Sequence, residues 1–161
     1  NPIAGWKVLT GLLKPTGLMK IALYSEAARK EIVMARELIA RRNYESTSKG
    51  IRQCRRDIMF AMPQLEHLKR VPDFYAMSEC RDLIFHVQEH RYTLPQLEKI
   101  LEELQLEFLG FEHPDDMMEK QYALHFPYDD KQVLLTNWER LEKQDPKLFF
   151  GMYQMWLRPK A

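Results

Sequence analysis

A short apolar run near the start of the chain most constrains its fold. Residues 18–24 read Leu-Met-Lys-Ile-Ala-Leu-Tyr, with a Pro-Thr-Gly turn before them and the polar Ser25 after them. A mostly apolar segment of this length between two breaks is typical of a strand buried in a parallel sheet. Because such a sheet needs helices on its faces, the run predicts an α/β protein.

Helices are predicted on both sides of this run. Apolar spacing predicts a first helix over residues 3–14, which the turn at Pro15 ends. Ser25 is predicted to cap a second helix over residues 26–42, in which Glu26 occupies the first turn. Further helices are predicted over residues 51–63, 78–87 and 131–143.

Two later strands complete the predicted sheet. Thr93 followed by Pro95 is a helix start signal, and the apolar residues after it recur at helical spacing. That helix leads into a second strand over residues 106–111, and a third strand is predicted over residues 151–157. Three strands among so many helices make a narrow sheet, so we expect part of the sheet to lie outside this chain.

Composition narrows the class of protein. The 161 residues include 24 basic and 23 acidic ones, and the net charge of +1 does not support a nucleic acid or an anionic membrane as partner. Basic residues do cluster locally, but on helices they usually form a solvated face. These clusters are Arg41-Arg42 and Arg52, Arg55 and Arg56.

Cysteine usage and hydropathy predict a cytoplasmic protein. Cys54 and Cys80 form no CxxC pair, which is typical of reduced thiols rather than of a disulfide framework. No signal peptide or long apolar span is present. The chain begins Asn1-Pro2 without an initiator Met, which we interpret as a sign that it is a fragment.

Three stretches resemble, in order, the C-terminal part of class I S-adenosylmethionine-dependent methyltransferases. "GWKVLTGLLKPTGLMKIALYS" (residues 5–25) resembles the helix, turn and fifth strand of that fold, although Thr16 replaces the first glycine of the usual Pro-Gly-Gly turn. "YTLPQLEKILEELQLEFLGFE" (residues 92–112) resembles the helix and sixth strand. "GMYQMWLRP" (residues 151–159) resembles the seventh strand, which pairs antiparallel with the sixth.

The resemblance implies a fold and a domain organisation. It is greatest to bacterial methyltransferase-domain proteins, some with tetratricopeptide repeats upstream, in which stretches similar to "LYSE", "SECRD" and "HVQEHRYTLPQL" recur. It implies a partial Rossmann-like methyltransferase fold with strands 5, 6 and 7 only, helix-rich overall. Residues 1–161 would form one domain, the C-terminal portion of a larger methyltransferase domain, with a helical insertion or lid over residues 43–92.

The resemblance also implies a cofactor for the parent protein. In the family, a Gly-x-Gly-x-Gly loop after the first strand and an acidic residue ending the second hold S-adenosylmethionine, and both would lie before Asn1. We therefore expect this chain alone to bind no S-adenosylmethionine and to transfer no methyl groups, and its partner to be the missing N-terminal half. The methyl acceptor stays open among protein, nucleic acid and small molecule.

Two places are candidates for contact with the acceptor. Ligands of open α/β sheets lie beyond the carboxyl ends of the parallel strands, which points to Tyr24 and Glu26. The alternative is that Ser25 caps a helix whose dipole Glu26 complements.

In the family, insertions after the fifth strand often cover the substrate, which adds a second group with donors, acceptors and a possible proton-accepting base. This group is His86, Glu89, His90, Arg91 and Tyr92. The alternative for that group is a hydrogen-bond cluster that orders the loop.

Two other functions compete with methyl transfer. The segment from His86 to His90 spells His-x-x-Glu-His, the signature of an inverted zinc peptidase. Acidic residues that could complete such a site exist at Glu102, Glu103 and Glu107. We expect no metal, because the candidate helix would end at Thr93 and the family resemblance accounts for the segment. The other alternative is a non-catalytic helical module that docks a protein through residues 86–92.

The predicted fragment has a consequence for its assembly. If residues 18–24 form the fifth strand of the family, the fourth strand beside it is missing. An unpaired apolar strand edge is a template for association. We therefore expect a homo-oligomer.

Overall fold

A computed structural model describes residues 2–86, 88–112 and 116–160. The chain divides into two compact units. Residues 1–28 and 90–161 form the first, which contains every strand of the described residues and is called the sheet unit here. Residues 29–89 form the second, called the helical unit. No helix in the described part of the chain combines the length and apolar character needed to cross a membrane.

The sheet unit contains four helices and four strands among its described residues. The helices are α1 (Pro2–Leu12), α5 (Leu94–Glu103), α6 (Met117–His125) and α7 (Leu135–Gln144). The strands are β1 (Met19–Ser25), β2 (Arg91–Tyr92), β3 (Leu106–Phe111) and β4 (Met152–Pro159). The α/β class predicted from the sequence is confirmed.

The strands form a mixed sheet in the order β2-β1-β4-β3. β4 lies between β1 and β3 and is antiparallel to both, while β2 is parallel to β1. The prediction of only three strands is wrong, because Arg91 and Tyr92 pair with Tyr24 and Ser25 as a fourth. A strand of two residues is too short to show a periodic pattern in the sequence. β2 forms because the carboxyl end of β1 offers it a pairing partner.

A change of register marks β3. Its pairing with β4 shifts between Phe108 and Gly110, and Gly110 has φ of 140°, which a residue with a side chain rarely adopts. Phe111 beyond the shift packs against Trp138, Phe149 and Tyr153. These aromatic rings lie in the core that the sheet and its helices bury.

One predicted helix start is confirmed by the structure, and another is wrong. Thr93 caps α5 in a full capping box: its Oγ1 accepts from Gln96 N, and the Gln96 side chain accepts from Thr93 N. Ser25 does not cap a helix from residue 26, because it is the last residue of β1 and donates its N–H to Gly151 O. Residues 26–29 form a turn instead, in which Ala28 N donates to Ser25 Oγ.

Among its described residues, the helical unit is built from three helices and three short 3₁₀ turns. The helices are α2 (Lys30–Arg42), α3 (Ser48–Ala61) and α4 (Met77–Ile84), and the turns cover residues 63–65, 68–70 and 72–74. Each element contributes apolar side chains to one buried cluster, which includes Ile32, Ile51, Leu65, Phe74 and Ile84. The unit therefore has a core of its own.

Candidate functional site

The carboxyl end of β1 presents an ion pair. Arg91 Nε donates to Glu26 Oε2 over 3.0 Å, and 24% and 47% of the two side chains are exposed. The backbone positions both residues, because Tyr24 pairs with Arg91 and Glu26 N donates to Tyr92 O over 2.9 Å. Tyr24, which is half-buried, is the next-to-last residue of β1. The structure thus brings together Tyr24, Glu26 and Arg91 from segments that are far apart in the sequence.

Tyr92 supports this edge from inside the core. Its side chain is 8% exposed and belongs to the apolar cluster of the sheet unit. Burial raises the pKa of the Tyr92 phenol, so its neutral form is favoured. The sequence predicted a substrate-facing aromatic ring here, whereas the Tyr92 ring is buried in the apolar cluster.

The two histidines of the His-x-x-Glu-His motif do not share a helix. α4 ends at Ile84, and the described residues from Phe85 to His90 are not helical; Val87 lies outside the described residues. The prediction of a helix through residue 87 is therefore wrong at its end. His86 is exposed and accepts a hydrogen bond from Gln88 N at its Nδ1, and His90 is exposed in the sheet unit.

Glu89 is held by two guanidinium groups of the helical unit. Arg29 Nη2 donates to its Oε2 over 2.6 Å and Arg36 Nη2 over 3.0 Å, and the Glu89 side chain is 3% exposed. Burial by itself would raise the pKa of Glu89, but the hydrogen bonds and charges of Arg29 and Arg36 outweigh it and hold the pKa below its usual value. A carboxylate with a lowered pKa is a weak base, and this one has both oxygens engaged.

These contacts differ from those that an inverted zinc peptidase requires. The motif requires two histidines on one helix face and a free glutamate as base. Here the helix ends before His86, and Glu89 is bound to arginines. In the described ranges of the chain, no group of three His, Cys, Asp or Glu side chains is placed to hold a metal ion.

A buried polar network behind β1 was not predicted. Ser25 Oγ donates to Glu142 Oε1 over 2.6 Å, and Tyr153 OH donates to both Glu142 oxygens over 2.7 and 2.9 Å. Burial, followed by the charge of Glu142, raises the pKa of Tyr153 far above its usual value. One signal was available in the sequence: Glu142 lies on the apolar stripe of α7 with Leu135 and Trp138. A carboxylate on such a stripe needs buried donors.

The glycine-rich loop that the family resemblance implies for S-adenosylmethionine is not found among the described residues. The family's cofactor loop is a glycine-rich turn between a strand and the following helix. Gly5, Gly11 and Gly50 lie within helices, Gly17 and Gly151 precede strands, and Gly110 lies inside β3. No glycine occupies such a turn, so no step of methyl transfer is assigned to these residues.

Comparison with known proteins gives a structural likeness only. No protein-family model matches the sequence, and no curated protein is similar to it. Among solved structures, PKMT2 from Rickettsia typhi, a protein lysine methyltransferase, superposes over 98% of this chain with a TM-score of 0.69 and 11% identity. The chain has a methyltransferase-like fold. It spans 32% of the length of PKMT2, so what the whole of that protein does is not shown for this part.

Proposed function

We propose that this chain is the C-terminal portion of a class I S-adenosylmethionine-dependent methyltransferase and that it forms the acceptor side of the active site. The observation that carries the proposal is the likeness to PKMT2 over 98% of the chain. The sheet order supports it, because β4 lies antiparallel between β1 and β3, as expected for strands 5, 7 and 6 of the family. The cofactor is then held by the preceding portion of the parent protein.

The Glu26–Arg91 pair is the proposed acceptor-side element. It lies at the carboxyl end of β1, where ligands of open α/β sheets bind. Its side chains are more exposed than those of the pair of Glu89 with Arg29, so it is accessible to a substrate. Methyl transfer makes the acceptor more acidic, and a carboxylate beside it can take up the released proton. Arg91 holds the Glu26 carboxylate in place for that role.

The acceptor to test first is the amine of a protein lysine side chain. PKMT2 is a protein lysine methyltransferase, and its fold is the one this chain shares. The net charge of +1 gives no support to a nucleic acid as acceptor. The experiment therefore offers protein, RNA and small-molecule extracts of the source cells separately, with radiolabelled S-adenosylmethionine.

The enzyme for that experiment is the polypeptide translated from the full open reading frame. We expect label to enter the protein extract, and the Glu26→Ala/Arg91→Ala variant to lower the rate at least about tenfold. The matched control is Glu107→Ala/Arg158→Ala, which removes a surface ion pair between β3 and β4 and should leave the rate within about twofold. Absence of transfer to every extract contradicts the proposed function, and equal losses in the two variants contradict the role of Glu26 and Arg91.

Docking of another protein through residues 86–92 stays a prediction. Glu89 and Arg91 already have partners within the chain, which leaves few charged groups in that segment for another protein.

A further inference from the structure

A groove of about 380 Å³ opens along the exposed side of α3 in the helical unit. Its lining comes from α3 and from the last 3₁₀ turn with the residue that follows it. The lining residues are Arg52, Arg55, Arg56, Met59, Phe60, Phe74 and Tyr75. Three of these carry a positive charge and none carries a negative one. The groove lies apart from the Glu26–Arg91 pair in the sequence and belongs to the other compact unit.

Helical spacing places charge and apolar surface at opposite ends of the groove. Arg52, Arg55 and Arg56 lie at positions i, i+3 and i+4, and Met59 and Phe60 follow at i+7 and i+8. All five therefore lie on one side of the helix. Seven residues of helix cover roughly 10 Å, so the groove runs from a cationic end to an apolar end over that distance.

The cationic end has no counterion among the residues that the structure describes. Arg52 and Arg56 are exposed, and they form no hydrogen bond or ion pair with the residues that the structure describes. Asp57, the acidic residue of α3, accepts a hydrogen bond from Tyr44 instead. Like charges four residues apart disfavour a helix slightly, and a bound anion relieves that repulsion. Arg55 differs, because it donates to Phe74 O and Tyr75 O and so fixes the wall of the groove.

The apolar end exposes two large side chains, Phe60 and Tyr75, and contacts within the unit hold Tyr75 in place. Phe60 is 86% exposed and Tyr75 is 55% exposed. Tyr75 OH donates to Lys69 O over 2.7 Å, and the Tyr75 ring packs edge-on against the buried Phe74 with 5.4 Å between centroids. An exposed apolar patch with a charged border is typical of a protein interaction site. The spacing on α3 alone predicted a solvated face, because Phe74 and Tyr75 come from another segment.

We propose that this groove docks a short acidic protein segment with one aromatic or large apolar side chain. Charge complementarity selects the acidic residues for Arg52 and Arg56, and the floor at Met59, Phe60 and Phe74 takes the apolar side chain. Extended chain advances about 3.3 Å per residue, so the acidic residues and the apolar anchor are about three residues apart. A nucleic acid fits less well, because its affinity comes from many phosphate contacts and the groove offers three arginines beside an apolar end.

Four fluorescein-labelled peptides test the proposal with the 161-residue chain by fluorescence anisotropy. The first has two adjacent glutamates and a tryptophan three residues later, with serine and glycine elsewhere. The second replaces both glutamates by glutamine, the third replaces tryptophan by alanine, and the fourth places tryptophan directly beside the glutamates. We expect saturable binding of the first and at least about tenfold weaker binding of the second and third.

Charge-matched variants locate the site. Arg52→Glu/Arg56→Glu should weaken binding of the first peptide at least about tenfold, and Phe60→Ser at least about fivefold. The control Arg41→Glu/Arg42→Glu makes the same charge change at exposed arginines of α2 outside the groove and should leave affinity within about twofold. Circular dichroism confirms that each variant is folded, and Arg55 is left intact because it supports the groove wall.

Three kinds of binding result would overturn the proposal or a part of it. No saturable binding of the first peptide, or equal weakening by the control and the groove variants, overturns the proposal. Tighter binding of a single-stranded RNA 12-mer than of the first peptide, lost in Arg52→Glu/Arg56→Glu, overturns it in favour of a nucleic acid. Equal binding of the first and fourth peptides overturns the inferred spacing between charge and anchor.

Discussion

Ser25 and Glu142 are joined by a buried hydrogen bond of 2.6 Å from Ser25 Oγ to Glu142 Oε1. Ser25 ends β1 and Glu142 lies in the last turn of α7, so the bond ties the proposed acceptor edge to a helix formed much later in the chain. Tyr153 of β4 donates to the same carboxylate. The carboxylate therefore connects two strands and a helix behind the edge.

Replacing this carboxylate should destabilise the sheet unit. We expect Glu142→Ala to lower the free energy of unfolding by about 3 kcal/mol, because two buried hydroxyl groups lose their acceptor and a cavity remains. Urea unfolding followed by tryptophan fluorescence measures the change. Glu139→Ala on the same helix removes a surface pair with Lys143 and should cost at most about 0.5 kcal/mol. Equal unfolding free energies for the two variants would contradict the role of Glu142.

Glu89 should make stability depend on pH in the acid range. Its pKa in the folded chain lies below the ordinary value of 4.5, so its stabilising contribution is fully present above 4.5 and is lost as the pH falls through the lowered value. Glu89→Gln should cost about 3 kcal/mol near neutral pH, because Arg29 and Arg36 lose their counterion. The difference between wild type and variant, measured by urea unfolding, should shrink from about pH 6 to about pH 3. A difference that does not change with pH would exclude an ionised Glu89 in the folded chain.

Cys54 and Cys80 should report on opening of the helical unit. Burial raises the pKa of Cys54 to about 12 and that of Cys80 to about 11, so almost no thiolate forms near pH 8 while the unit is closed. We expect labelling by a disulfide reagent at about pH 8 to be at least about a hundredfold slower in buffer than in denaturing urea. Since the folded pKa values are raised, stability should fall as the pH rises from about 9 towards 11 and 12. Labelling of both thiols at the unfolded rate would show that this core does not form.

Self-association stays a prediction, and the sheet gives it a specific edge. β2 pairs with β1 only at Tyr24 and Ser25, and no strand of the described residues pairs with residues 19–23 on that side. We expect a dimer or larger assembly by light scattering. Ala22→Lys should shift it towards monomer, because a lysine on an edge strand opposes strand addition.

The matched control for that experiment is Gln154→Lys. Gln154 pairs with Ala22 in register and is also exposed, but β4 has strands on both sides. The control should not change the assembly state. Wild-type protein that stays monomeric at high concentration would refute association through this edge.

The parts of the fold that were predictable carry local signals. The strand over residues 106–111 was predicted with the bounds that the structure has. The helix cap at Thr93 was predicted from residues 93–96 alone. α6 was missed because its described residues bury only Met118 and Tyr122, which leaves no apolar stripe to recognise. Local propensity therefore set the helix and strand pattern where a stripe or a cap exists.

The parts that were not predictable depend on distant partners. β2 exists through its pairing with β1, and the arginines that hold Glu89 lie many residues before it in the chain. The sequence therefore suggested Glu89 as an available base, while its neighbours in space make it a structural counterion. Of the candidate site, Glu26 was predicted from its place after β1, but its ion pair with Arg91 needed the fold.

If the chain forms the acceptor side of a methyltransferase, as proposed, the parent protein holds S-adenosylmethionine with residues outside this chain. Calorimetric titration of S-adenosylmethionine tests it most directly, first into the 161-residue chain and then into the polypeptide from the full reading frame. We expect no saturable heat for the chain alone and one binding site per molecule for the longer polypeptide. Saturable binding by the chain alone, or none by the longer polypeptide, would contradict it.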